Sequence, residues 1–124
     1  MPDLMLFRHS EAEQFTAGDV IFMEGEPGDK MYVVSEGEVD ILIGPDVVET
    51  AGPGSAFGEM ALIDQSPRSA SAIARTDCKL VPIDERQFQF LVRETPFFAL
   101  TIMKTMADRL RKTNSRIVFG LGSV

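Results

Sequence analysis

A chain of 124 residues, 44% hydrophobic and 25% charged, is sized and composed for one soluble globular domain around one core. Its single cysteine, Cys78, excludes an intramolecular disulfide framework, and its single histidine, His9, leaves a His-based metal site or triad without support. No apolar run approaches the roughly 20 residues of a membrane span.

The net charge of −7 is unevenly placed. Acid dominates the body, whereas Lys104, Arg109, Arg111, Lys112 and Arg116 stand against Asp108 alone after position 95. An acidic body disfavours general nucleic-acid binding, so no direct DNA contact is expected. The late cations are those that complement a helix C-terminus and solvate its outer face. The N-terminus lacks a basic region followed by an apolar stretch, so a secretory signal is not expected and the location expected is cytoplasmic.

In chain order, Leu4, Met5, Phe7 and Ala12 give a partly apolar face, and a short helix is expected over 4–12. From Gln14 the texture changes to short β-type runs: Gln14–Thr16, Val20–Phe22, Met31–Ser35, Glu38–Ile43, Val47–Thr50, Ser69–Ala74 and Lys79–Ile83. The turns between them are rich in Gly, Pro and Asp, as in Glu24-Gly25-Glu26-Pro27-Gly28-Asp29 and Gly44-Pro45-Asp46. Many short strands with such turns predict an antiparallel β-roll or jelly roll over about 14–83. Along Asp40–Ile43 alternation is loose, and inside and outside stay open there. Pro82 marks its strand as an edge or as locally irregular. Cys78 reads as a small apolar filler at a turn or strand start.

Two helices are expected to follow, over about 84–118. Asp84 is a good N-cap with Gln87 in capping-box position, and Phe88, Leu91 and Val92 recur at helical spacing. Thr95-Pro96 restarts a helix, with Pro96 at the favoured first position. Phe98, Ile102, Met106 and Leu110 step by four, and packing on the roll is expected for Phe97 to Met106. Gly120 and Gly122 are expected to end the helix, leaving 119–124 as a frayed tail. Met103, Leu110 and Ile117 could form a two-fold seam between copies. The fold class expected is therefore mainly β with flanking α: one domain, 1–124, with a short N-terminal helix and two C-terminal helices.

The most informative stretch is Phe57-Gly58-Glu59-Met60-Ala61-Leu62-Ile63-Asp64-Gln65-Ser66-Pro67-Arg68-Ser69-Ala70. Gly54 and Gly58 allow a turn with close backbone approach. Glu59–Ile63 has the composition of one or two helical turns, whose leading N–H groups suit an anion. Pro67 stops the helix, and Arg68 brings a side chain that can grip phosphate at two points. The nearby acid, Glu59, is of no help to an anion and is better suited to accept from hydroxyls. A sugar phosphate is the ligand class that uses all these parts.

The stretch resembles the phosphate-binding cassette of cyclic nucleotide-binding domains: Phe57-Gly58-Glu59, Met60, Ala61-Leu62, then Arg68 nine positions after the Glu. Gly18-Asp19, Glu24-Gly25-Glu26, Gly28-Asp29 and Gly37-Glu38-Val39 extend the likeness over most of the chain. The resemblance implies that Glu59 holds the ribose 2′-hydroxyl and Arg68 the cyclic phosphate. The amides near Gly58, Met60 and Ala61, with Ser69, would complete the phosphate contacts, and Phe57 would anchor the cassette. In the activator-protein branch, polar residues at the place of Thr113 and Asn114 contact adenine; both also read as solvated helix residues. A hydroxyl at the place of Ser69 goes with guanine in the kinase branch and with cyclic AMP (cAMP) in the activator branch.

The expected function is a non-enzymatic cyclic nucleotide sensor, cAMP before cyclic GMP (cGMP), in which ligand shifts the C-terminal helix. It needs no further cofactor. No helix-turn-helix is expected within these residues, so the sensor either stands alone or is the sensing part of a channel, kinase or regulator. A ligand-independent module that dimerises or docks through the last helix is the second reading. A metal-dependent β-roll enzyme is remote, for want of a His and carboxylate cluster.

Overall fold

The computed structural model describes residues 12–121, with side chains through Asp108. The helix expected over 4–12 lies outside the described residues apart from Ala12. The elements are β1 (Glu13–Phe15), β2 (Val20–Phe22), β3 (Lys30–Glu36), β4 (Val39–Ile43), β5 (Asp46–Ala51), β6 (Ala56–Phe57), α1 (Met60–Ile63), β7 (Ser71–Ala74), β8 (Cys78–Asp84), α2 (Glu85–Glu94) and α3 (Pro96–Leu121). The strands form two four-stranded antiparallel sheets, ordered β1-β8-β3-β6 and β2-β7-β4-β5. The expected mainly β roll with flanking helices is the fold observed. Strand β6 was not expected, because two residues carry no periodicity; it exists through its pairing of Phe57 with Tyr32 and Ala56 with Val33.

One core was expected, and two are found, one on each face of the β1-β8-β3-β6 sheet. Met31 and Val33 of β3 pack with Val81, Ile83, Leu91, Phe98 and Ile102 beneath the helices. Tyr32 and Val34, pointing the other way, pack with Val39, Phe57, Ala72 and Leu80 between the sheets. A strand's side chains alternate, so a run buried on both faces must be continuously apolar, as Met31–Val34 is. Cys78 opens β8 and fills the inter-sheet core, 4% exposed. Pro82 sits opposite Tyr32, while β1 pairs only with residues 78–80 of β8, so at Pro82 the strand has a neighbour on one side alone. That is where a missing N–H does least harm.

The capping box forms as expected: Gln87 N donates to Asp84 Oδ1 at 2.8 Å, and Asp84 N donates to Gln87 Oε1 at 3.0 Å. Helix α3 starts at Pro96 and continues through Gly120 to Leu121, beyond its expected end near residue 118. A helical glycine costs only about 1 kcal/mol relative to alanine and need not end a helix. The packing expected for the whole of Phe97 to Met106 holds for one row only. Phe98 and Ile102 are buried and Met106 packs beside them, but Phe97, Leu100 and Met103 are each more than half exposed. A helix lying on a core buries one stripe and turns the rest away. The side chains of Leu110, Thr113, Asn114 and Ile117 lie outside the described residues. Among the described residues no helix is long and apolar enough to cross a membrane.

Candidate functional site

Between β6 and β7 the chain makes the turn that the 57–70 stretch predicts. Phe57 is buried as the last residue of β6. Gly58 follows with φ +80°, and a Cβ there would stand 2.8 Å from Arg68 Nη1, so both torsion and space require glycine. Glu59 then caps the single turn α1, and its carbonyl accepts from Leu62 N at 3.0 Å and Ile63 N at 3.1 Å. Asp64 Oδ1 accepts from Ser66 N at 3.0 Å, and these Ser66 hydrogen bonds hold the Asp64 carboxyl below its ordinary value. Gln65, at φ +56°, reverses the chain; it alone of the non-glycine residues described takes the left-handed region.

Arg68 comes next, and its backbone is clamped. Its N–H donates to Glu26 O and its carbonyl accepts from Gly25 N, each at 2.8 Å. The side chain is 7% exposed and runs inward. Nη2 donates to Lys30 O at 2.7 Å, Nη1 donates to Gly58 O at 3.1 Å, and the guanidinium carbon lies 4.0 Å from the Phe22 ring centroid. Phe22 is itself fixed by Tyr32 and Phe57, with ring centroids 6.3 and 5.9 Å away. Backbone carbonyls and an aromatic face thus orient the cation without neutralising it. Among the described residues Arg68 forms no ion pair, and its buried Nε has no hydrogen-bond partner. Burial draws the guanidinium below its ordinary value, while Tyr32, Asp29 and Glu26 oppose that shift.

A cavity of about 570 Å³ opens beside this side chain. Phe57, Gly58, Glu59, Met60, Ala61, Arg68 and Ser69 all line it, so seven of the nine residues singled out in the sequence meet at one site. Thr113 and Asn114 are on α3, and their side chains lie outside the described residues. Glu59, 3% exposed, lines the same cavity as Arg68. Sequence reasoning missed other residues of the lining: Ile41 and Ile43 from β4, Val48 and Glu49 from β5, and Met106 and Ala107 from α3. It also missed Phe22. Nothing local marks these residues; the only signal was the loose alternation of β4, which the structure traces to a register shift between Ile41 and Leu42.

The β6–β7 connection thus brings a buried glutamate and a buried arginine to one cavity, which Met106 and Ala107 of α3 also line. The cyclic nucleotide-binding domain model matches residues 12–95, and the chain belongs to that family. It is 31% identical over 117 residues to the CRP-like cAMP-activated global transcriptional regulator of Mycobacterium tuberculosis, covering 90% of this chain and 52% of that protein. The chain thus spans about half the length of this relative. Among solved structures, the catabolite activator protein of Thermus thermophilus superposes with a TM-score of 0.81 at 28% identity, covering 96% of this chain and 59% of that one. A structure reported under a cyclic-GMP-dependent signalling pathway of bacterial phytopathogenesis gives 0.76 at 29% identity, covering 88% and 92%.

Proposed function

We propose that the cavity binds a purine cyclic nucleotide, cAMP in preference to cGMP, and that the chain acts as a non-enzymatic sensor. The observation that carries this reading is Arg68: buried, lining a cavity, and without an ion pair among the described residues. A buried cation left uncompensated costs several kcal/mol, and an anion arriving in the cavity recovers that cost. The cyclic phosphate is that anion, with Ser69 and the amides around Gly58, Met60 and Ala61 at its other oxygens. Glu59 accepts from the ribose 2′-hydroxyl. The preference for cAMP rests on Thr113 and Asn114 and on the cAMP-activated relative.

Helix α3 is the output element in this reading. Met106 packs on the helix-side core and also lines the cavity, so a ligand that touches it favours one position of the helix over others. A competition titration of the chain with cAMP and cGMP tests the proposal. Saturation at about one ligand per chain, tighter for cAMP, is expected. Absence of saturation by either nucleotide refutes the binding reading, and tighter cGMP binding refutes the base preference.

A second reading, a module that dimerises or docks without ligand, draws support from Phe97, Leu100 and Met103, each more than half exposed on α3. Sedimentation with and without cAMP separates the two. Self-association that ignores ligand favours the second.

A further inference from the structure

Among the described residues that line the cavity outside the cassette, all but one are apolar. Ile41, Ile43, Val48, Met106 and Ala107 offer no hydrogen-bonding side chain; Glu49 does. Its place there is built rather than incidental. In the β4–β5 pairing Ile41 stands opposite Glu49 but Leu42 stands opposite Val47, so Val48 is an extra residue. Neighbours in a regular strand face opposite sides, yet Val48 and Glu49 both line the cavity. A bulge re-aims side chains in just this way. The lining thus combines apolar residues with one acidic residue, a combination suited to a flat heterocycle that carries a donor on its edge.

Building on the cyclic nucleotide reading above, we infer that Glu49 contributes to base specificity, alongside Thr113 and Asn114, by accepting a hydrogen bond from the 6-amino group of adenine. A carboxylate can only accept. It pairs with the adenine amine and repels the guanine O6 that occupies the same position. The cassette would then hold what all cyclic nucleotides share, while the bulged strand reads what distinguishes them.

The test titrates cAMP, cGMP and the 6-unsubstituted purine riboside cyclic monophosphate against the parent chain, Glu49→Ala and the isosteric Glu49→Gln, with circular dichroism as a check on folding. The parent should bind cAMP about tenfold more tightly than the 6-unsubstituted analogue, the effect of one charge-assisted hydrogen bond. In Glu49→Ala that difference should shrink several-fold. In Glu49→Gln, whose amide can also donate to O6, the preference for cAMP over cGMP should narrow about tenfold, which keeps the test open should the alanine variant fail to fold. A parent that binds cAMP but loses none of these discriminations on substitution overturns the role of Glu49 and leaves the binding reading standing. A Glu49-dependent preference for cGMP overturns the 6-amino assignment. Failure of all three nucleotides to saturate the parent overturns the binding reading and this inference together.

Discussion

Gly28 lies directly against the Arg68 guanidinium: a Cβ built on it would overlap Nε and meet Nη2 at 2.9 Å. Gly28 and Arg68 are 40 positions apart in the sequence, and the β2–β3 loop that carries the glycine also holds Arg68 by two backbone hydrogen bonds. The loop is therefore a mould for the arginine. Gly28→Ala should push the guanidinium off the Lys30 carbonyl and lower cyclic nucleotide affinity about tenfold. Stability should fall by about 1–3 kcal/mol, since a buried guanidinium and the Lys30 carbonyl lose their hydrogen bond. Calorimetric affinity with a parallel denaturant titration checks both halves.

Arg68 itself should matter more. Arg68→Ala removes a charge-assisted contact, and the affinity should fall by about 1.5–3 kcal/mol, one to two decades. Arg68→Lys should recover little, because a lysine ammonium cannot hold the Lys30 and Gly58 carbonyls and face a phosphate from one planar fork. Dissociation constants for the three proteins decide this; an unchanged constant in Arg68→Ala removes the residue from the site.

Glu59 should act on the sugar. The parent is expected to favour cAMP over its 2′-deoxy analogue, and Glu59→Ala should bind the two alike while keeping the fold. If the ratio survives the substitution, Glu59 is not the ribose acceptor. Because Glu59 is buried, circular dichroism and thermal melting of the variant belong to the measurement.

Alkaline pH should weaken the inter-sheet core. Burial, then the Glu13 charge, raises the Tyr32 phenol above its ordinary 10.0, and burial, then Asp77, raises the Cys78 thiol above 9.0. Both groups bind their protons more tightly folded than unfolded. The stability they contribute is complete below the unfolded values and is lost as pH rises through the folded ones. The melting temperature should fall from about pH 9 upward, and Cys78→Val should flatten the first part of that fall. Melting curves from pH 7 to 11 test it. The raised Cys78 value also predicts slow reaction with thiol reagents at neutral pH in the native protein.

Much of the cassette was legible because its chemistry is local. Gly58 answers a torsion and a close approach within its own turn, Glu59 caps the helix that it begins, and Asp84 with Gln87 closes a box over four residues. Such features depend on neighbours in sequence, so residue type and spacing suffice to find them. Strands were found within one or two residues for the same reason, except β6, which has no pattern of its own and exists only by pairing with β3.

What the tertiary structure alone decided is everything that meets across long sequence separations. The order of residues does not say that Phe22 lies under Arg68, that Met31–Val34 divides two cores, or that the buried row of α3 leaves Phe97, Leu100 and Met103 outside. Nor does it say that Glu49, beside a bulge opposite Ile41 and Leu42, lines the same cavity as Arg68. Spacing in sequence supplied the groups proposed to meet a phosphate and a sugar. Packing between sheets, loop and helix set the direction in which each group points, because buried groups must fill space and satisfy one another at once.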